Sequence, residues 1–244
     1  MIIVRARAYV GPNILAPRPL AHITVTIEGE ARWPGGAAGS AAAKNLLELL
    51  PGLKDHPDAG QAAENFAAML GQDPRPSLCL VAARVASELQ RLHCGRLYMS
   101  DAREGTARGQ YDIFFDYDDP DIAVLAGRLA VYMVLALLPP ELRPANELAS
   151  GFDNMRARDN FLRHAQSVAL DQTTLALIAE AERRDIPWSV LDRSKRIVQL
   201  GQGCRLRRLR ETVTDRTSVI ANWIQRDKTS TVQLFSHVHL PVPR

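Results

Sequence analysis

The segment 199–221 constrains this chain more than any other, and it reads Q-L-G-Q-G-C-R-L-R-R-L-R-E-T-V-T-D-R-T-S-V-I-A. Gly201 and Gly203 predict a tight turn, because glycine adopts backbone conformations that other residues avoid. Four arginines follow the turn: Arg205, Arg207, Arg208 and Arg210. Leu206 and Leu209 lie between them. Part of the segment can therefore be buried while its charged side chains reach water or an anion.

The residues after the arginines have the pattern of a helix N-terminus. Asp215, Thr217 or Ser218 can supply the N-cap, since each side chain has an oxygen that accepts a hydrogen bond from a backbone N–H group. The helix is expected to run to about Arg226. Arg216 lies beside its first N–H groups. A cation next to a helix N-terminus suits a carboxylate or a phosphate.

The stretch 193–210 is basic throughout, with seven Lys or Arg residues and neither Asp nor Glu. Two interpretations remain open for it. The cations can form the solvated face of a strand, or they can form a site for phosphate or for substrate carboxylates. The net charge of the whole chain is only +3, which is too small to indicate a nucleic-acid-binding protein.

The remaining pattern predicts an α+β fold in which a small mixed sheet is covered by helices. Strands are predicted at 2–9, 22–28, 96–100 and 111–117, and helices at 41–50, 62–70, 77–92 and 120–138. A loop is predicted at 35–39. Proline, glycine and polar residues concentrate in 139–159, so this stretch is the predicted boundary between a domain at 1–155 and a second one at 160–244. In the second domain, helices are predicted at 173–184, 218–226 and 230–236, and strands at 188–191 and 196–200.

The stretch 122–138 is the most apolar part of the chain. Arg128 interrupts it and Pro139-Pro140 ends it, so it is short for a membrane span and is predicted to be a buried helix. Cys79, Cys94 and Cys204 form no C-x-x-C pair. Three unpaired cysteines without a signal peptide favour reduced thiols in the cytoplasm. Cys79 is expected to be a small core residue.

Motifs from both ends of the chain agree with one family pattern. The amino end, Arg7 to Ile14, matches R-x-Y-x-G-P-N-I. The pattern L-G-W-G-x-x-x-R-R-I-x-x-x-x-T-D-x-T-S-x-I-A is matched at Leu200, Gly201, Gly203, Arg207, Arg208, Thr214, Asp215, Thr217, Ser218, Ile220 and Ala221. The D-K-x-x-T and V-P-V-P motifs that follow are matched at Asp227, Lys228 and Pro241-Val242-Pro243. Together these motifs resemble the cyanophycin synthetases, ligases that build a poly-aspartate backbone with arginine branches.

Three positions depart from the pattern of that family. Asp185 stands where the family motif G-I-P-W has its glycine, and His239 replaces another glycine. Gln202 replaces a tryptophan. These departures affect the local contacts that the resemblance would otherwise imply.

The resemblance implies the leading lobe of an ATP-grasp domain at 160–244, and an incomplete one. In the family, V-P-V-P leads into the module that holds ATP and Mg²⁺ and activates a carboxylate, and a second ATP domain with a P-loop follows. The sequence has no G-x-x-x-x-G-K-[ST] motif. We therefore expect no ATP, Mg²⁺ or other cofactor to be held by these residues alone. The chain is either a piece of a longer synthetase or a short stand-alone relative, and both remain open.

The resemblance also implies the Asp/Arg polymer cyanophycin as partner, a homo-oligomer, and neither a nucleic acid nor a membrane. The residues expected to face the polymer are Arg207, Arg208, Asp215, Arg216, Thr217 and Ser218. None of them carries the sequence signal of a catalytic acid or base. Two rival hypotheses are a polymer-binding module that catalyses nothing and a structural protein that assembles a larger synthetase through oligomer contacts.

A helix near the middle of the chain lacks the residues of a metal site. Some cyanophycin synthetases have an H-x-x-E-H helix there, whose spacing lets both histidines reach one zinc ion. This chain has Leu80, Ala83 and Arg84 at those positions. We therefore expect neither a metal site nor a hydrolase activity that generates primers. Glu88 is expected to be solvated or salt-bridged.

Other polar residues have two interpretations each. Asp116, Asp118, Asp119 and Asp121 form an acidic run at a strand–helix junction. The run can hold a cation or the arginine branches of the polymer, or it can cap the helix. Asn13 is expected to stabilise a turn. Lys228 is expected at the surface or at a helix cap. The histidines at 22, 56, 93 and 164 have no metal-binding spacing and are expected to be structural.

Overall fold

The computed structural model describes residues 1–29, 31–55, 75–95, 99–139 and 151–242. The chain divides into two compact units, Met1–Gln166 and Ser167–Arg244. This division falls after the predicted boundary region, because the helix Asn154–Val168 occupies the end of that region. The predicted helix at 62–70, residues 96–98 of a predicted strand and His56 lie outside the described residues.

Four strands of the first unit form one sheet in the order β1-β2-β4-β3. Their bounds are β1 Ile2–Tyr9, β2 Leu20–Thr26, β3 Ser100–Glu104 and β4 Gln110–Phe115. The α+β class and the small sheet covered by helices are confirmed. All three pairings are antiparallel, where the sequence predicts a mixed sheet. The loop at 105–109 between β3 and β4 is short, and short loops join antiparallel neighbours.

The described residues of the first unit form four helices, and two of them contact the sheet. The four helices are α1 Gly36–Leu49, α2 Ser77–Cys94, α3 Pro120–Leu137 and α4 Asn154–Val168, with a 3₁₀ helix at Pro51–Asp55. Ala21, Ile23 and Val25 alternate along β2 and are fully buried. They point toward α2 and α3, which pack on each other and on the sheet. The core of the first unit therefore lies between these two helices and the inner face of the sheet.

The predicted loop at 35–39 is wrong, because α1 already begins at Gly36. Gly39 is buried, and its carbonyl accepts a hydrogen bond from the indole Nε1 of Trp33 at 3.1 Å. A Cβ at Gly39 would collide with the backbone of Pro34. The glycine that reads as a loop signal thus permits the close packing of a helix start.

The apolar helix α3 is a core helix, as predicted. Among the described residues it alone is long and apolar enough to cross a membrane by length and composition. Half of it is nevertheless buried within the unit. Gly127 lets the helix approach the sheet, since a Cβ there would lie 2.8 Å from the side chain of Ile23 and 3.0 Å from that of Phe115.

The second unit also contains a four-stranded antiparallel sheet, in the order β5-β6-β7-β8. The strands are β5 Trp188–Asp192, β6 Ile197–Leu200, β7 Arg207–Arg210 and β8 Val213–Thr214, with a 3₁₀ helix at Gly203–Arg205. The helices are α5 Gln172–Arg183, α6 Val219–Arg226 and α7 Lys228–His237. Ile178, Val198 and Leu209 form a small core.

Two helices of the second unit end in the same hydrogen-bonded motif. After α5, the N–H groups of Asp185 and Ile186 bond back to the helix carbonyls of Glu182 and Ala181, at 3.0 and 2.9 Å. Asp185 has a φ of 54°, in the left-handed region. This is the Schellman motif, in which glycine is the usual left-handed residue.

His239 occupies the equivalent position after α7, with a φ of 57°. Its N–H bonds to the carbonyl of Ser236 at 3.1 Å, and the N–H of Leu240 bonds to that of Phe235 at 2.9 Å. The family pattern has glycine at both of these positions, where this chain has Asp185 and His239. The geometry explains the glycines of the family pattern, because the chain needs a left-handed residue at both places.

Candidate functional site

The double-glycine turn forms as predicted. Gly201 and Gly203 have φ values of 73° and 60°. A Cβ at Gly201 would lie 3.1 Å from the carbonyl oxygen of Arg205, so the turn is closely folded on itself. It delivers the chain through the 3₁₀ helix into β7, which carries three of the arginines of the basic cluster.

The arginines of β7 lie on opposite faces of the strand. Leu209 is buried and packs with Val198 in the core. Because side chains alternate along a strand, Arg208 and Arg210 lie on the side of β7 opposite Leu209 and are exposed. Arg207 lies on the same side as Leu209, is half-buried, and donates a hydrogen bond to the carbonyl of Leu206 at 2.5 Å. The structure therefore separates two arginines that are adjacent in sequence.

The T-D-R-T-S segment folds into a turn followed by a capped helix. The N–H of Thr217 bonds to the carbonyl of Thr214 at 3.0 Å, and the Thr217 hydroxyl accepts from the N–H of Thr214 at 3.1 Å. The Ser218 hydroxyl accepts from the N–H of Ala221 at 3.5 Å and caps α6. The predicted N-cap is confirmed at Ser218. The hydroxyls of Thr217 and Ser218 are both used within the turn and helix.

Three of the six predicted residues remain available to a ligand. The N–H of Asp215 bonds to the carbonyl of Arg208 at 3.0 Å, so the turn starts beside that strand position. Arg208, Asp215 and Arg216 are exposed. Within the part of the chain that the structure describes, their side chains have no ion pair or hydrogen bond. The arrangement offers two cations and one carboxylate at one end of β7.

The acidic run acts as a helix cap. Asp119 accepts hydrogen bonds from the N–H groups of Asp121 and Ile122, at 2.9 and 3.0 Å, at the start of α3. Asp116 pairs with Arg18 at 2.9 Å. The capping interpretation is therefore favoured over a cation site.

Asn13 also has the local role that the sequence predicts. Its side-chain oxygen accepts from the N–H groups of Leu15 and Ala16 at 2.9 and 3.0 Å. Its amide donates to the carbonyls of Gly11 and Arg18 at 3.1 and 3.0 Å. The prediction of a turn-stabilising asparagine is confirmed.

The positions that align with the metal-binding motif lie in the core. Leu80, Ala83 and Arg84 are buried in α2. Over the described ranges, no group of three or more His, Cys, Asp or Glu residues is placed to hold a metal ion. Glu88 is fully buried on the same helix and accepts two hydrogen bonds from Arg91, at 2.6 and 2.9 Å. The salt-bridged alternative for Glu88 is confirmed and the solvated one is wrong.

A polar cluster on the outer face of the first sheet is not predicted by the sequence. We use "outer face" for the side chains of Arg5, Arg7, Tyr9, His22, Thr24, Asp101, Arg103, Asp112 and Phe114. They point away from the helices, because their strand neighbours Ala21, Ile23 and Ile113 are buried beneath them. Period-2 alternation in β1 and β2 could have placed the residues on one face. Nothing in the sequence indicates that strands so far apart in the chain pair with each other.

The centre of the outer face is a closed polar cluster. His22 Nε2 lies 2.8 Å from Asp112 Oδ1, and the Thr24 hydroxyl lies 3.2 Å from the same oxygen and 3.3 Å from the same nitrogen. His22 and Asp112 have side chains that are only 12% and 14% exposed. Both partners approach one nitrogen of His22, so the ring cannot pass a proton from Thr24 to Asp112. The cluster fixes side-chain positions and is not a catalytic triad.

Aromatic rings flank this centre on both sides, with Tyr9 stacked on His22 and Phe114 tilted against it. The rings of Tyr9 and Phe114 lie 6.2 and 6.1 Å from that of His22. The guanidinium of Arg7 lies 5.4 Å from the centroid of Tyr9, and that of Arg103 lies 5.0 Å from the centroid of Phe114. A continuous row of rings and cations therefore crosses all four strands.

Comparison with known proteins finds a similarity within the first unit. Residues 23–139 match the family described as the cyanophycin synthase-like N-terminal domain. The matched range runs from β2 through α3, and it includes Asp112, Arg103 and Phe114 of the outer face.

Curated proteins named cyanophycin synthetase are similar to this chain over a longer range than the family match covers. The protein from Geminocystis herdmanii is 26% identical over 246 residues, which cover 100% of this chain and 27% of the relative. The protein from Crocosphaera subtropica is 27% identical over 199 residues, which cover 82% of this chain and 22% of the relative. The chain thus spans about a quarter of the length of the curated relatives it matches.

Proposed function

We propose that this chain is the polymer-binding part of a cyanophycin synthetase-like, ATP-dependent ligase that extends an Asp/Arg polymer. Residues 160–244 would form the leading lobe of its ATP-grasp domain. The family match of residues 23–139 and the relatives named cyanophycin synthetase support the class of enzyme. In such ligases ATP and Mg²⁺ supply the activation of a carboxylate. Within the proposal, neither is held by the described residues.

The observation that carries the polymer-binding role is the exposed set Arg208, Asp215 and Arg216 beside the end of β7. A polymer of aspartate and arginine carries both guanidinium and carboxylate groups. Two cations and one carboxylate therefore complement it, and exposed pairs of this kind give specificity and salt sensitivity more than affinity. Arg208 and Arg216 bind carboxylates of the polymer, and Asp215 binds a guanidinium.

These residues act by positioning. Holding a chain end near the reacting groups makes the addition of the next unit effectively unimolecular, which is one of the largest sources of catalytic rate. Arg207 takes no part in the contact, since it lies on the core side of β7. The hydroxyls of Thr217 and Ser218 keep the turn in shape.

We further propose that the protein is cytoplasmic and works as part of a homo-oligomeric ligase. The exposed face of α6 supports an assembly. Val219, Ile220 and Trp223 are 63%, 66% and 69% exposed. A cluster of large apolar side chains at the surface typically marks an interface.

Co-sedimentation with insoluble cyanophycin across a salt series tests the proposal. The wild-type chain is expected to sediment with the polymer at low salt and to be released as salt rises. The double variant Arg208→Ala/Arg216→Ala is expected to lose most of this binding. A matched control, Arg193→Ala/Lys195→Ala, removes the same charge from the β5–β6 turn and is expected to bind normally.

The same experiment separates the rival hypotheses. Failure of the wild-type chain to sediment at low salt would overturn the polymer-binding role. A stable oligomer that does not bind the polymer would favour the structural protein that assembles a larger synthetase. Binding without ATP turnover by the ligase that contains these residues would favour a non-catalytic polymer-binding module.

A further inference from the structure

The outer face of the first sheet carries arginines at both of its edges. In strand register, Arg7, His22, Phe114 and Asp101 form one row across the sheet, and Arg5, Thr24, Asp112 and Arg103 form the next. Arg5 and Arg7 therefore lie on the edge strand β1, and Arg103 lies on the opposite edge strand β3. The central positions of both rows are occupied by the closed cluster and its stacked ring.

The guanidinium groups on this face are held in place but have no acidic partner. Arg7 stacks on Tyr9 and Arg103 stacks on Phe114, at 5.4 and 5.0 Å. Among the residues that the structure describes, neither side chain forms an ion pair. A guanidinium that stacks on a ring keeps its N–H edge free, and this planar edge matches a carboxylate or phosphate through two parallel hydrogen bonds. The rings therefore orient the guanidinium groups of Arg7 and Arg103 so that each can bind an anion.

The charge of the outer face favours an anion. Asp112 is already engaged by His22 and Thr24, and Asp101 pairs with Arg75 at 3.1 Å. Among the residues that the structure describes, Arg5, Arg7 and Arg103 of this face form no ion pair. The same argument disfavours a nucleobase, because stacking of bases requires open aromatic faces. Here the faces of Tyr9 and Phe114 are covered by guanidinium groups.

The spacing of the cations suits an extended chain. The strands β1 and β3 are three strand intervals apart, or about 14 Å. Side groups on one side of an extended peptide recur every ~7 Å. Two such repeats therefore span the row from Arg5 to Arg103, and Arg7 lies in the neighbouring row.

A groove next to Arg103 gives a side branch a place to lie. It has a volume of about 300 Å³. Its apolar lining includes Leu15, Leu20, Met99 and Phe114. Asp101 and Asp116 also line the groove, and they pair with Arg75 and Arg18. A groove with an apolar floor and a cation at its rim accommodates the aliphatic part of a branch that ends in a carboxylate.

We propose that the outer face is a second binding surface, separate from the set at β7, for an extended peptide-like chain with regularly spaced carboxylates. Arg7 and Arg103 are its two anchors, and Arg5 adds charge at the β1 edge. The identification of the bound ligand as the Asp/Arg polymer rests on the proposed function. The binding of a polycarboxylate by this face does not rest on it.

Binding of fluorescein-labelled poly-L-aspartate to the full chain tests the inference. The wild-type chain is expected to bind at low salt, and Arg7→Ala/Arg103→Ala is expected to weaken binding about tenfold. Arg103→Lys keeps the charge but loses the planar edge, so its binding is expected to fall as well. The control Arg128→Ala removes an exposed arginine from α3, which packs on the inner face, and is expected to change binding less than about twofold.

The outcomes separate the inference from the proposed function. Equal affinities for Arg7→Ala/Arg103→Ala and Arg128→Ala, with unchanged thermal unfolding, would overturn the carboxylate-binding face. So would a labelled oligo(dT) that binds as tightly as poly-L-aspartate, since the surface would then select any polyanion. Loss of poly-L-aspartate binding in Arg7→Ala/Arg103→Ala supports the inference, even where the wild-type chain fails to sediment with cyanophycin and the proposed function falls.

Discussion

Arg207 and Arg208 are adjacent in sequence, yet they lie on opposite faces of β7. Arg207 shares the side of the buried Leu209, and Arg208 is exposed on the other side. We therefore predict that Arg208→Ala weakens binding to cyanophycin about threefold at low salt, while Arg207→Ala changes it little. Co-sedimentation of both variants with insoluble cyanophycin checks this. Equal losses would mean that the polymer contacts both faces or that Arg207 acts through the fold.

The ion pair of Glu88 and Arg91 predicts a large effect on stability. Glu88 is fully buried, and the hydrogen bonds that Arg91 donates to its carboxylate raise the pKa of that guanidinium. Arg91→Met would leave a buried carboxylate without its partner, which is expected to cost about 3 kcal/mol in the free energy of unfolding. Urea denaturation measures this. The double variant Glu88→Gln/Arg91→Met is expected to recover part of the loss, and no recovery would contradict the ion-pair explanation.

The left-handed residues Asp185 and His239 predict two stabilising substitutions. Each of Asp185→Gly and His239→Gly is expected to raise the free energy of unfolding by about 1 kcal/mol, because glycine has no Cβ to clash in this conformation. The control Gln233→Gly, in the middle of α7, is expected to lower stability, since glycine is unfavourable inside a helix. Thermal unfolding of the full chain decides whether the three variants move in these directions.

The three cysteines are predicted to differ in reactivity. Burial raises the pKa of the Cys79 thiol to about 12, so it stays protonated and unreactive at neutral pH. Cys94 and Cys204 are exposed. Labelling with iodoacetamide is expected to modify these two thiols in the native protein and all three in denaturant. Rapid native labelling of Cys79 would contradict its burial.

The raised pKa of Cys79 also predicts how the stability of the protein depends on pH. The native protein binds the Cys79 proton more tightly than the unfolded chain does, so its contribution to stability is complete below pH 9.0. The contribution is lost as pH rises from there toward 12. Cys79→Ala is expected to flatten the loss of stability in this alkaline range, which urea denaturation at several pH values measures.

The sequence by itself determined the local features of this protein. The turn at Gly201 and Gly203, the N-cap at Ser218 and the turn around Asn13 each depend on residues a few positions apart. The α+β class and the buried position of α3 follow from the period and length of apolar stretches. Such features are predictable because their determinants are contiguous in the chain.

Only the tertiary structure decided which polar residues meet. His22 and Asp112 are 90 positions apart, and they form a closed cluster because β2 pairs with β4. The sequence allows Glu88 to be a surface residue, but the 3₁₀ helix packs against it. Gly52 of that helix lies so close to Glu88 and Arg91 that a Cβ would not fit there. Strand pairing and close packing join residues that are distant in sequence. The outer face, and the separation of Arg208 from Arg207, therefore emerged only from the fold.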